Sequence, residues 1–308
     1  MADYNVQKTT SADLTSQQRE DFDKQLIANA EPNLVYNRFG QKRNIPQNGG
    51  QTINFRRFTA LDIPAAPLTE GVTPAGKSLK MTEVTAHVKQ YGDYIATSDV
   101  LELTGPDMLK KVAELNKLLG DQAGRTLDHV TASVLAQGTN YQFANGAEGL
   151  PAISKEDVLT VDDIKKAVTT LKNANAPKID GYYICIIHPN VAYDLMKDPE
   201  WTNVKNNDPE GIYKGELGSL YGVRFFESSE AYTELNGVQG SLTCYHTAIF
   251  GDNAYGVTEV EGGGLKMILQ DAVDPLHQVS SQGWKAMHTA EILSPEFMVN
   301  LWSVSSRD

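Results

Sequence analysis

Apolar residues recur at intervals of three and four through Met108, Leu109, Val112, Leu115, Leu118, Leu119, Leu127, Val130, Val134 and Leu135. That period belongs to a helix with one buried stripe and predicts a helix over 106–138. Ser98 or Gly105 opens it, Pro106 suits its first turn, and Gly138 stands past its end. Gly120 and Gly124 either bend it or let a neighbouring element approach closely. A second helix is predicted over Val161–Asn173, with Thr160 and Asp163 as a capping pair, a stripe of Val161, Ile164, Val168 and Leu171, and Pro177 closing it. HPNVAYDLM reads as a third, capped at Asn190.

Elsewhere the period shortens to two or disappears into solid apolar runs. Gln51–Phe58 alternates, with Ile53 and Phe55 on one face, and Thr82–Tyr91 alternates through Val84, Ala86 and Val88. Between them lies LDIPAAPLTEGVTPAGKSLK, rich in Pro, Gly and Ala, a link too long for an ordinary hairpin. Two strands with so thin an apolar face form a ribbon that is marginal alone in water, so it leans on something else. Tyr182–Ile187 is a buried strand. Further strands are predicted at Val223–Phe226, Thr247–Phe250, Tyr255–Val260, Lys266–Gln270, Trp284–Leu293 and Phe297–Val304, the last ones returning to the long helix. Residues 1–31 are polar, with a short helix around Gln17–Ala28, and read as an arm rather than a core element. The fold class is α+β, without an internal repeat.

Composition narrows the function. The chain has 308 residues, is 41% hydrophobic and 21% charged, and carries a net charge of −12. The acidic body argues against nucleic-acid binding, because phosphates would be repelled. No apolar run approaches the roughly 20 residues of a membrane span, and the polar start is unlike a signal peptide. Cys185, inside YYICII, reads as a buried thiol, and no disulfide with Cys244 is expected. Synthesis in a reducing cytoplasm fits this pattern. Yet Pro32–Leu61 contains no acid and carries Arg38, Lys42, Arg43, Arg56 and Arg57; that +5 island within a −12 chain leaves −17 elsewhere.

The search for catalytic chemistry finds little. The six histidines have no metal-ligand spacing, and neither a G-x-S-x-G elbow nor a Walker loop is present. GELGSLYG at 215–222 reads as tight turns beside a strand, and Asp162–Asp163 as a helix start. Residues 198–211 read as a surface loop, and EGGG at 261–264 as a hairpin tip rather than a phosphate nest. No enzyme activity, cofactor or metal is expected. The basic island has three readings: a solvated face, a nucleic-acid contact, or a contact with the acidic surface of a neighbouring copy. Supply favours the last. Arg56 and Arg57 point to opposite faces of a strand, so one can pair across an interface while the other faces solvent.

In order, the chain carries a polar arm, QK..IP..GG.T..F.RF, a loop with LTEGVTP, V.QYGDY...SD, a long helix ending L.D...A..LA.GTN, then YYICIIHPN, G.LYGVRFFES, IFGDNAYGV and GWKAMHTAEIL. Together these resemble the major capsid proteins of tailed bacteriophages, in the branch typified by coliphage N-four, from about Leu34 to Val304. The resemblance implies the Hong Kong 97-like fold: an N-terminal arm at 1–45, an extended loop at 46–95, the spine helix and first part of the peripheral domain at 96–179, an axial domain at 180–275, and return strands of the peripheral domain at 276–308. It also implies a virion shell subunit that forms pentamers and hexamers around double-stranded DNA, with portal and separate scaffolding or decoration proteins as partners and no membrane. Only about 30 residues precede the fold, so any scaffolding is expected to be a separate protein. In such a fold the ribbon lies across an adjacent subunit. The island then pairs with a neighbour's acids at the spine helix, Glu102, Asp107 and Glu114. The alternatives are an encapsulin-type nanocompartment shell and an α+β enzyme.

Overall fold

The structure is a computed structural model that describes residues 16–44, 51–58, 76–98, 108–202, 217–236, 242–258, 264–270 and 278–307, with scattered positions between 61 and 73. In chain order its elements are α1 (Ser16–Ala30), α2 (Val35–Phe39), β1 (Gln41–Arg43), β2 (Thr52–Phe58), β3 (Met81–His87), β4 (Lys89–Ser98), α3 (Met108–Leu135) and β5 (Tyr141–Phe143). Then come α4 (Val161–Asn173), β6 (Tyr183–Ile187), α5 (Pro189–Lys197), β7 (Gly218–Leu220), β8 (Val223–Glu227), β9 (Thr233–Leu235) and β10 (Thr243–Phe250). The chain closes with β11 (Tyr255–Thr258), β12 (Leu265–Gln270), β13 (Val279–His288), β14 (Ala290–Ile292) and β15 (Met298–Ser303).

A large mixed sheet runs β5–β15–β10–β6–β8–β7, with β9 pairing the start of β10. Both of its faces are covered. On one, Ile164 and Leu171 of α4 and Val191 and Leu195 of α5 pack on Cys185, Ile187, Phe225, Ile249 and Leu301. On the other, Ile184, Ile186, Ala248 and Phe250 meet Ala132 and Leu135 of α3, Tyr36 of α2 and Tyr255. Two-sided cover explains why YICII is a solid apolar run, buried at all five positions. Thr160 and Asp163 form the expected capping box at α4. At α5 the cap is His188, whose Nδ1 accepts from the Asn190 N–H at 3.1 Å, and not Asn190 as the sequence suggested.

Beside it, a three-stranded sheet, β12–β13–β4, packs one face on α3 and α1. The N-terminal helix corrects the expectation that the arm supplies no core element: Leu26 and Ala30 are fully buried against Leu119, Ala123 and Leu127. Gly120 and Gly124 permit this. A Cβ at Gly124 would stand 2.5 Å from the Ala30 carbonyl oxygen, and one at Gly120 2.6 Å from Asn29 Cβ. A third small sheet, β1–β11–β14, and the two-stranded β2–β3 ribbon complete the topology.

Two strand expectations change. The run 82–91 is two strands: β3 pairs with β2, and after Val88 the chain crosses to pair with β13 along ten residues as β4. Trp284–Leu293 breaks at Thr289, where β13 hands over to β14 in a different sheet. The last strands do return to the long helix: β13 packs on it through Trp284 and Ala286, and β15, in the interior of the large sheet between β5 and β10, meets it through Met298 and the Asn300 amide on the Leu135 carbonyl. Residues 203–216 and 259–263 lie outside the described residues, and with them most of the 198–211 loop and of the EGGG segment.

Candidate assembly surface

Among the described residues no group of three or more His, Cys, Asp and Glu is placed to hold a metal ion, and no helix is long and apolar enough to cross a membrane. A cleft of about 460 Å³ between Tyr141, Phe143, Pro151 and Trp302 has Glu234 as the one carboxylate among its described lining residues, with no basic side chain among them. Cys185 and Cys244 are both free and buried, and burial pushes the Cys185 thiol up.

The ribbon divides into two halves. Its inner half is fastened to its own chain. Phe55 is fully buried with its ring over Gly256, beside Ile53, Ala86, Val88 and Leu293. Arg57 donates from Nη1 to the Leu293 carbonyl at 3.3 Å, pairs with Glu296 and lies over the Phe297 ring at 5.8 Å. Arg56, on the opposite face, pairs with its cross-strand partner Glu83 at 3.3 Å. The outer half is bare: Phe58, Leu61, Ile63, Leu79 and Met81 are exposed, Ile63 at 90%.

The five basic residues are thus not one surface. Arg56 and Arg57 lie on the ribbon with partners in their own chain. Arg38 lies in the last turn of α2, and Lys42 and Arg43 lie on β1, which pairs in parallel with β11 at Val257 and Thr258. These three make no ion pair with a described residue. Glu102 and Asp107 lie outside the described residues. Glu114 lies on α3, within the turns whose side chains are not described.

A buried polar seam joins α2 to the body, and no spacing or motif in the chain announces it. Asp128 of α3, fully buried, accepts from the Tyr36 N–H at 2.7 Å and the Ser228 hydroxyl at 3.1 Å. Burial pushes its carboxyl up to about 7, while these donors and the Asn37 N–H hold it down. One helical turn on, Thr131 bonds Asn37 and His288, and His288 bonds Thr258 at 2.8 Å. Burial lowers His288 to about 4. In the large sheet, burial likewise lowers His246 to about 4; its Nε2 lies 3.0 Å from Asn300, which also donates to the Leu135 carbonyl.

A long helix carrying a sheet, a second sheet closed on both sides and a half-anchored ribbon define the architecture of Hong Kong 97-like shell proteins. Solved structures share it. The capsid of Ralstonia phage GP4 is 14% identical, with a TM-score of 0.66 over 83% of this chain and 84% of that one. The capsid asymmetric unit of cyanophage Pam1 is 15% identical, with a TM-score of 0.62 over 84% and 86%. A virus-like particle from Pyrococcus furiosus is 11% identical, with a TM-score of 0.56 over 92% and 98%. A search among curated proteins finds no match. The family model for phage capsid protein matches residues 37–263, most of the chain, and the chain belongs to that family. It is therefore a structural protein of a phage shell, and the family match favours this over a cellular nanocompartment.

Proposed function

We propose that the chain is the major shell subunit of a tailed phage, of the branch typified by coliphage N-four, closing as pentamers and hexamers around double-stranded DNA. The observation that carries this is the divided ribbon: an inner half locked by Phe55 and Arg57, and an outer half whose described apolar side chains are exposed. Exposed apolar groups on an extended arm are the mark of a segment completed by a partner. Many weak contacts then close together, which is how small terms decide assembly. The acidic charge suits a container that does not adhere to its DNA.

In this reading 1–45 is the arm, 46–95 the extended loop, 96–179 the spine and first peripheral part, 180–275 the axial domain and 276–308 the peripheral return. Arg38, Lys42 and Arg43 face acids of a neighbour, with Glu102, Asp107 and Glu114 as candidates. Arg56, exposed beside Glu83, is shared with the interface. Portal and separate scaffolding or decoration proteins complete the partners, and synthesis takes place in the host cytoplasm.

The test is assembly of the purified chain, followed by sedimentation and electron microscopy, alongside a variant whose 60–79 segment is replaced by a short turn. The full chain is expected to form shells, and the shortened one to remain as folded, unassembled subunits. Shells of normal yield from the shortened chain would remove the ribbon from the mechanism.

A further inference from the structure

Past the end of α3, on the face of the large sheet that this helix covers, lies the cleft of about 460 Å³. The strand register builds it. Trp302 of β15 pairs with Phe143 of β5, and Tyr141 stands two residues before Phe143. Glu234 of β9 pairs with Cys244 of β10, which packs with Trp302. The four lining side chains therefore stand on one side of the sheet. Trp302 is buried and braced edge-on by Tyr232 at 6.1 Å, so its ring is held in place. Several features of this cleft favour a positive charge. Glu234 is exposed and makes no ion pair with a described residue. The C-terminal end of the 28-residue α3, negative by its dipole and without a basic residue in its last turn, meets the cleft at Ala136 and Gln137. Tyr141, Phe143 and Trp302 supply three aromatic rings, and the face of such a ring attracts a cation. His246, 5.2 Å from the Trp302 ring, is kept uncharged at neutral pH by its burial and does not repel one.

We propose that this cleft binds an organic ammonium ion with an apolar stem, the group carried by a free aliphatic diamine or by a lysine side chain. The other ligand classes fit less well. A metal ion takes several oxygen ligands, and Glu234 is the one carboxylate among the described lining residues. A phosphate would meet a carboxylate and a helix end of its own sign. A neutral apolar molecule would use the rings and leave Glu234 unpaired. An alkylammonium uses both: its charge lies between Glu234 and the aromatic rings, and its stem packs on Leu150 and Pro151. The cleft shares no residue with the ribbon or with the basic island. The proposal goes beyond the shell reading and does not rest on it.

Isothermal titration of the purified full chain, at constant ionic strength, tests this. The probes are cadaverine and N-acetyl-lysine amide, with pentanol as a stem without charge and sodium as a charge without stem. At least one of the two amines is expected to bind saturably, one per chain, and at least tenfold more tightly than pentanol or sodium. Tighter binding of cadaverine assigns the site to a free diamine, and tighter binding of the lysine amide to a side chain of a partner protein; both support the proposal. Glu234→Gln and Tyr141→Ala alter exposed side chains, so each variant is expected to keep its denaturation midpoint and to lose at least fivefold in affinity for the amine. No saturable binding of either amine overturns the proposal. So does binding that both substitutions leave unchanged, because the amine then sits elsewhere, and so does pentanol binding as tightly as the amines, because the charge then plays no part. None of these results bears on whether the chain forms shells.

Discussion

The large sheet and the small β12–β13–β4 sheet are made of similar strands and differ in what covers them. The first has helices α4 and α5 on one face and α3 with α2 on the other, so β6 and β15 are buried at every position. The second has α1 and α3 on one face, while on the other Tyr94, Lys266, Ile268 and Lys285 stand exposed among the described residues, so every second residue of β12 is exposed. The one is finished within the chain. The other, like the outer ribbon, leaves apolar side chains exposed in the single chain. Stability and assembly should therefore respond to different substitutions.

The largest effects should fall in the closed sheet. Ile186→Ala or Phe225→Ala removes a fully buried side chain, at a cost of about 2–5 kcal/mol. Tyr94→Ala and Ile268→Ala should lie within about 0.5 kcal/mol of the unmodified chain. Urea denaturation of dissociated subunits checks both, and equal losses at the two sheets would break the comparison. Next in size is Gly124→Ala, which would force its methyl into the Ala30 carbonyl. A cost of about 1–3 kcal/mol is expected, with faster hydrogen exchange confined to 16–33 and to α3. Unchanged exchange there would mean that α1 does not dock on the glycine face.

Arg57→Ala should cost about 1–2 kcal/mol, because it removes a charged donor to the Leu293 carbonyl and to Glu296. Arg56→Ala, on the exposed face, should cost less than half of that. Exchange at 52–58 separates the two, and the reverse order would place the anchor on the other face.

The smallest effect is a dependence on pH. An unfolded histidine binds a proton near ~6.5, whereas His246 and His288 are lowered to about 4 in the fold. Between these values the unfolded chain binds more protons, so stability falls as the pH drops. Asp128 opposes this. Its folded carboxyl, raised to about 7, holds a proton that an unfolded aspartic acid releases near ~3.9, so its contribution grows as the pH falls through that window. Asp128→Asn should make the loss of denaturation midpoint between pH 7 and 4.5 steeper than in the unmodified chain. A parallel loss would contradict the assignment.

What could be read in the sequence was local. α4 follows from Thr160, Asp163 and a stripe four residues wide, and its ends match the expectation. β6 follows from a run with no polar residue. What could not be read depends on distant partners. At Val88 the chain changes sheets without a glycine or proline to mark the place, because the switch is set by the Val88 N–H reaching the Gln51 carbonyl at 2.9 Å. α1 is a polar sequence whose docking is set by two glycines some 90 residues later. Of the basic island, the charge was visible but its division was not. β1 lacks alternation, and the partner of Arg57 is Glu296, at the far end of the chain.

The central claim is that part of this molecule's surface is completed by other copies. Lysine acetylation read by mass spectrometry measures this directly. Lys266 and Lys285 are exposed in the single chain. We expect both to be labelled in dissociated subunits and at least tenfold slower to react in assembled shells. Equal labelling in the two states would contradict the claim, because the face would then be open solvent surface in the shell as it is in the subunit.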